Sequence, residues 1–212
     1  MRIAILLFDR LTALDAIGPY DVLRRIPAAE VSFVASVRGA VRAEGGLSLV
    51  AELQLAELVD PDIVLVPGGL GQMQLMDDGP VHEWLRRAHE TSTWTASVCT
   101  GSLILAAAGL LREKRATSHW LAMGELGSLG ALPTSERVVF EGKIVTAAGV
   151  SAGIDMALEL AARIAGDEAA QAIQLGIEYD PQPPFDAGSP ARAPEHIVRM
   201  LSARSRFNAT GS

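Results

Sequence analysis

The run Ile3 to Phe8 is continuous, β-branched and aliphatic, with no polar residue at alternate positions. A strand exposed on one face alternates, so a run of this kind suits a strand covered on both faces, as in a parallel sheet. Asp62 to Val66 repeats the pattern and ends in Pro67-Gly68-Gly69, while Val31 to Val37 and Thr93 to Val98 read as two further strands. Between them lie helical stretches. Ala13 to Arg25 is one, with Gly18-Pro19 near its start or at a kink, and Val81 to Glu90 is another, with Val81, Leu85 and Ala88 on one face. An Ala/Leu-rich helix follows Cys99-Thr100-Gly101 and ends at Gly109 or Leu111. Strands that alternate with helices of this length predict β-α-β units around a mostly parallel sheet, an α/β fold.

The remaining elements are smaller. Leu47 to Leu49 belongs to a minor strand pair, and Val138 to Phe140 with Ile144 to Thr146 forms a hairpin about a Gly142 turn. Ile154, Ala157, Leu158 and Ala161 recur at helical spacing, with Asp155 in the first turn, where a carboxylate suits the helix dipole. A second helical segment, Asp167 to Glu178, follows Gly166. Tyr179 to Pro194 carries four prolines and reads as a loop, and Glu195 to Phe207 as a final short helix. Residues 1–207 are expected to form one domain, and 208–212 a frayed tail or an expression remnant.

Composition excludes several classes. Hydrophobic residues make up 49% of 212, enough for a full core without staples. Lys+Arg is 18 against Asp+Glu 25, with no basic cluster, so nothing offers the positive footprint that a phosphate backbone needs. No apolar run approaches the length of a membrane span, and Ile3 to Phe8 is too short for a signal peptide's apolar region. One cysteine rules out an intramolecular disulfide and a polythiolate metal site, and the four histidines form no H-x-x-x-H pair. A cytoplasmic protein without metal is expected.

That cysteine, Cys99, stands where a buried strand gives way to a helix, at the carboxyl end of the sheet where open α/β folds bind ligands. A thiol facing a helix N-terminus is expected to favour thiolate. The small neighbours Ser97, Thr100, Gly101 and Ser102 permit a sharp turn and a close approach of backbone N–H donors, the logic of a nucleophile elbow with sulfur in place of oxygen. Pro67-Gly68-Gly69 ends a neighbouring strand in the same manner and supplies a second set of N–H groups. An inert, buried cysteine is the competing reading, and a helix cap is the competing reading for Asp15.

Several segments together resemble the ThiJ/PfpI superfamily of class I glutamine-amidotransferase-like proteins. They are Leu14-Asp15-Ala16-Ile17-Gly18-Pro19, Val64 to Gly69, Ala96 to Ser102 running on to Leu111, and Arg115 to Trp120. Gly149 to Asp155 and Glu178 to Phe185 extend the likeness to the isonitrile-hydratase branch, over about residues 2 to 205. The resemblance implies a flavodoxin-like three-layer sandwich, a homodimer, and no metal or organic cofactor. It also implies hydration of a small-molecule isonitrile, R–N≡C, to the N-substituted formamide. By motif, Cys99 is then the nucleophile, Asp15 the general acid and base, and Thr100 its neighbour at the elbow. The backbone of Gly68, Gly69, Leu70 and Gly71 positions the substrate.

Two departures sort the relatives. The peptidase-like branch places His directly after the cysteine, where this chain has Thr100, and the glyoxalase- and deglycase-like branch uses Glu where this chain has Asp15. The alternatives are a glyoxalase-like hydrolase and a ligand-sensing or redox-responsive domain akin to the sensor of AraC-type regulators. The regulators carry a helix-turn-helix module, and only 27 residues follow Phe185, which favours the stand-alone enzyme. His119 invites a Cys-His dyad, but the resemblance assigns it no such role. Trp84 and Trp94 read as packing, and Met73 and Met76 as gap-fillers ahead of pocket-liners.

Overall fold

The computed structural model describes residues 1–208. Eleven strands and seven helices follow one another in it. The first half holds β1 (Arg2–Leu6), α1 (Ala13–Leu23), β2 (Glu30–Ala35), β3 (Gly39–Arg42), β4 (Ser48–Ala51), β5 (Leu53–Gln54), β6 (Ile63–Val66), α2 (Pro80–Thr91) and β7 (Trp94–Val98). The second half holds α3 (Gly101–Ala107), β8 (Arg115–Ala116), α4 (Met123–Ser128), β9 (Leu132–Pro133), β10 (Val138–Glu141), β11 (Ile144–Ala147), α5 (Ala152–Ala165), α6 (Asp167–Gly176) and α7 (Glu195–Ala203). Seven strands form the central sheet in the order β10-β11-β7-β6-β1-β2-β5. Every neighbouring pair is parallel except the β10–β11 hairpin.

The period of the strands explains why the apolar runs are unbroken. Ile3 and Ile5 of β1 face one core with Leu65, Ala96 and Val98, closed by Met156, Ala157, Leu160 and Ile173 of α5 and α6. Ala4 and Leu6 face the other, with Val64 and Val66, closed by Leu85, Ala88, Leu103, Ile104 and Leu126. Both faces of the sheet are therefore buried, and three layers result. Each fully buried Leu or Ile contributes on the order of 1.5–3 kcal/mol.

Local differences from the sequence reading have physical causes. α3 stops at Ala107, because Gly109 takes a left-handed φ of 82° and the Gly109 and Leu110 N–H groups turn back to Ala106 and Leu105. β2 ends at Ala35, short of Val37, which is 71% exposed. β5, β8 and β9 are two-residue strands, too short for any hydrophobic period to register. Helix α7 gives way to a short turn at Arg206–Asn208, and Phe207 packs against the second core. Of the tail expected at 208–212, residues 209–212 lie outside the described residues.

Parallel pairing brings the carboxyl ends of β1, β6, β7 and β11 to one edge of the sheet, with Val66 beside Ser97 and Ala147 beside Val98. The loops that leave those ends converge there, and they carry Arg10, Pro67 to Gly71, Cys99 and Val150.

Candidate active site

Cys99 occupies the single step between β7 and the Thr100–Gly101 start of α3, with φ at +57°, a conformation uncommon for a residue with a side chain. Its backbone is pinned on both sides. Its N–H donates to the Ala147 and Ala148 carbonyls at 3.0 Å each, and its carbonyl accepts from Ser118 Oγ at 3.0 Å and Ser102 Oγ at 3.2 Å. Gly101 permits the turn, since a Cβ there would lie 2.1 Å from the Val66 carbonyl oxygen. Val150 (φ +35°) and Arg10 (φ +59°) are left-handed as well. Three strained residues on three converging loops mark a place that the surrounding structure over-determines.

Asp15 lies in the first turn of α1 and is completely buried. It does not cap that helix: Thr12 is the N-cap, and Asp15 Oδ2 instead accepts the Gly68 N–H at 2.9 Å. Its Oδ1 is buried with no partner at ordinary hydrogen-bond geometry, and the Cys99 thiol is the neighbouring polar side chain that interacts with the carboxyl. Burial pushes the carboxyl up to about 7, against the pull of the Gly68 N–H and the thiol, and the Glu44 charge adds to the rise.

Cys99 is 6% exposed, and its thiol is pushed up to about 12, first by burial and then by the Asp15 charge. The Thr100 and Val150 N–H groups pull the other way and are outweighed. The expected thiolate is thus replaced by a thiol that faces a carboxyl. A seven-residue α3 is a weak source of dipole, and desolvation with a facing acid dominates it.

The Gly68–Gly71 loop also differs from expectation in how its donors are used. Gly68 N–H serves Asp15, Gly69 N–H serves Thr100 Oγ1 at 3.0 Å, Leu70 N–H serves Glu44 Oε1 at 2.5 Å, and Gly71 N–H serves the Arg10 carbonyl at 3.1 Å. All four are engaged within the protein, so the loop works by fixing Asp15 and Thr100 in place. The fit requires glycine at position 68, where a Cβ would meet Thr100 N at 2.5 Å and Thr100 Oγ1 at 2.6 Å.

Sequence reasoning did not single out Ser118, Glu44, Val150 or Arg206 as parts of this site. The motif segments held Ser118 and Val150, but nothing in the pattern distinguishes the N–H of Val150 from any other. His119 accepts the Leu121 N–H on Nδ1 at 3.3 Å and lies against Gly149. Burial and the Arg206 charge lower its pKa, and among the described residues it bonds neither Cys99 nor Asp15. Trp84 is buried with its Nε1–H on the Leu58 carbonyl, and Trp94 meets Phe140 edge-on at 5.6 Å. Met76 packs against the second core, and Met73 is 61% exposed.

A cleft of about 790 Å³ between β5, the loop before α2 and α2 itself is lined by Ser36, Gln54, Leu75, His82 and Trp84. Neither Cys99 nor Asp15 lines it, and the candidate site is instead the strand ends, where strain and a buried acid beside a thiol coincide. Among the described residues no group of three His, Cys, Asp or Glu side chains stands close enough to hold a metal ion, and no helix is long and apolar enough to cross a membrane.

The chain is 43% identical to the isonitrile hydratase of Pseudomonas putida over 205 residues, 97% of this chain and 90% of the relative. It is 34% identical over 143 residues to the HTH-type transcriptional regulator CdhR of Pseudomonas aeruginosa, spanning 66% of this chain and 42% of the regulator. The crystal structure of a ThiJ/PfpI family protein from Pseudomonas syringae superposes with a TM-score of 0.94 at 34% identity, over 98% of this chain and 87% of that one. The model of the DJ-1/PfpI family matches residues 1–163. With a mostly parallel sheet flanked by helices, a cysteine at the left-handed elbow and these relatives, the chain belongs to the DJ-1/PfpI family.

Proposed function

We propose that this protein hydrates an isonitrile, R–N≡C, to the N-substituted formamide, with Cys99 as nucleophile and Asp15 as general acid and base. The buried Asp15–Cys99 pair carries the reading: a carboxyl pushed up to about 7 can both hold and release a proton near neutrality, next to the only thiol of the chain. The 43% identity to an isonitrile hydratase supports it.

Asp15 as carboxylate takes the thiol proton while sulfur bonds to the terminal carbon. That proton then passes to the same carbon and leaves a thioimidate, R–N=CH–S–Cys99, beside an ionised Asp15. Water adds to the thioimidate carbon, and Asp15 accepts a water proton and delivers it to nitrogen. The resulting R–NH–CH(OH)–S–Cys99 collapses: the C–S bond breaks, the hydroxyl proton returns through Asp15 to sulfur, and R–NH–CHO leaves. One water is consumed, and nothing is oxidised or reduced. Thr100 positions the intermediate from the elbow, and the Gly68, Gly69, Leu70 and Gly71 backbone walls the substrate. The close packing around Cys99, a residue only 6% exposed, suits a linear isocyano end. A homodimer, a cytoplasmic location and independence of cofactors go with this reading, and the family resemblance carries them.

Formamide formation from p-nitrophenyl isocyanide, followed in the ultraviolet for wild type and Cys99→Ala, tests it. Turnover by wild type with a dead Cys99→Ala is expected. Full activity in Cys99→Ala overturns the mechanism, and no turnover in either protein moves the reading to ligand sensing, as the likeness to a regulator suggests.

A further inference from the structure

Arg206, just past α7, has no part in the reaction described above, yet it folds back onto the same loops. Its Nη2 donates to the Gly69 carbonyl at 3.1 Å and to Gln72 Oε1 at 3.1 Å, and its guanidinium lies 4.7 Å from the Phe207 ring centroid. Arg24, Arg38, Arg86 and Arg115 pair with carboxylates. Among the described residues no carboxylate stands within 4.0 Å of Arg206, and its Nη1 is buried without a hydrogen bond. A half-buried cation without a counter-ion is costly unless an anion forms nearby. Glu44, the acidic residue whose charge bears most on Arg206, already accepts the Leu70 N–H. The other anion that favours charge on Arg206 is a Cys99 thiolate.

We propose that Arg206 is a positioning residue of the Cys99 site, fastening the carboxy-terminal segment to the Gly69 carbonyl and setting its positive charge over the loop that holds Thr100, where it favours a Cys99 thiolate. The inference rests on the reading of Cys99 as the nucleophile. Two links connect Arg206 to the sulfur. Gly69 receives Arg206 on its carbonyl and donates its N–H to Thr100, the neighbour of Cys99. The Gly69 carbonyl also accepts the Gln72 N–H at 3.2 Å and is reached by the Thr100 hydroxyl only at 3.4 Å. The charge link is reciprocal: the attraction that a Cys99 thiolate exerts on Arg206 acts equally on the thiolate.

The groups that bear on the sulfur and its neighbours are Asp15 from α1, Glu44 and Arg10 from the loops beside it, His119 from the segment before α4, and Arg206 itself. Asp15 opposes the thiolate when ionised, and a neutral His119 does not oppose it. Removal of Arg206 therefore raises the proton affinity of the thiol.

Because the chain has one cysteine, alkylation by iodoacetamide reports on Cys99 alone. Its rate is to be measured between pH 6 and 10 in wild type, Arg206→Gln and Arg206→Lys. Glutamine keeps a donor for the Gly69 carbonyl and loses the charge. Arg206→Gln should react about tenfold more slowly at pH 8 with its profile displaced to higher pH, and Arg206→Lys should recover to within about threefold of wild type. An unchanged profile in Arg206→Gln overturns the proposal, as does faster alkylation, which is the sign expected if Arg206 merely shields the sulfur. Failure of Arg206→Lys to recover overturns it too. No isonitrile enters the assay, so its outcome is separate from whether the protein is a hydratase.

Discussion

Asp15 of α1 and Cys99 at the end of β7 share one buried space, in which the Asp15 charge raises the proton affinity of the thiol while the thiol draws the Asp15 carboxyl down against the rise that burial imposes. Among the described residues neither has an ion-pair partner to settle where the proton resides. The pair therefore titrates as a unit, and its lower step, at about 7, belongs to loss of the first of two protons. The singly protonated pair is the species that can form a nucleophile and still deliver a proton to carbon.

The pH profile of turnover follows from that. Below pH 7 both groups are protonated, no base faces the thiol, and kcat/KM should fall about tenfold per pH unit. Above pH 7 it should level off, because the second step lies near 12. In Asp15→Asn the rising limb should vanish along with at least about a hundredfold of the rate. A limb that persists in Asp15→Asn assigns it to another group.

Stability should run against activity. Asp15 is held in the folded state well above its usual 3.8, so between about pH 4 and 7 the folded chain binds more protons than the unfolded chain. Stability therefore falls as pH rises through that window, by at most about 4 kcal/mol from this group. Urea unfolding at pH 5 and pH 8 should give a smaller drop for Asp15→Asn than for wild type. The exposed carboxylates paired with arginine, such as Asp60 and Asp78, shift in the opposite direction and cancel in that comparison. Equal drops in the two proteins place the Asp15 proton elsewhere.

Thr100 separates a geometric role from a chemical one. Thr100→Val preserves shape but leaves the buried Gly69 N–H without its acceptor, at a cost of about 1–3 kcal/mol. Turnover should fall more than tenfold, with the loss in kcat, since the proposed role of Thr100 is to hold the intermediate at the elbow and not to bind the distal part of the substrate. A loss confined to KM, read from steady-state kinetics, assigns Thr100 to substrate binding alone.

Much of this was legible in the chain. Ile3 to Phe8 and Asp62 to Val66 could be read as doubly covered strands because burial on two faces erases alternation, and Cys99-Thr100-Gly101 could be read as a turn because few other residues fit there. What escaped is long-range. The state of the thiol depends on Asp15 lying against it, and no local pattern states that an acid from α1 reaches the end of β7. The Gly68–Gly71 donors looked free because their partners, Asp15, Thr100, Glu44 and Arg10, come from three other segments. Arg206 lies just past α7, where the helical period has ended and nothing local announces its return to the Gly69 loop.

His119 provides the sharpest contrast with a Cys-His enzyme. Its ring abuts Gly149, where an added Cβ would lie 3.0 Å from Cδ2, and its Nδ1 is used as a local cap for the turn Trp120–Ala122. Burial and the Arg206 charge hold it neutral near pH 7, so it is poorly suited to stabilise a thiolate as an imidazolium. His119→Gln, which retains an acceptor for the turn, should keep kcat/KM within about tenfold of wild type and leave the rising limb at about pH 7 in place. Loss of a thousandfold or more, with displacement of that limb, makes His119 the base and removes Asp15 from the role.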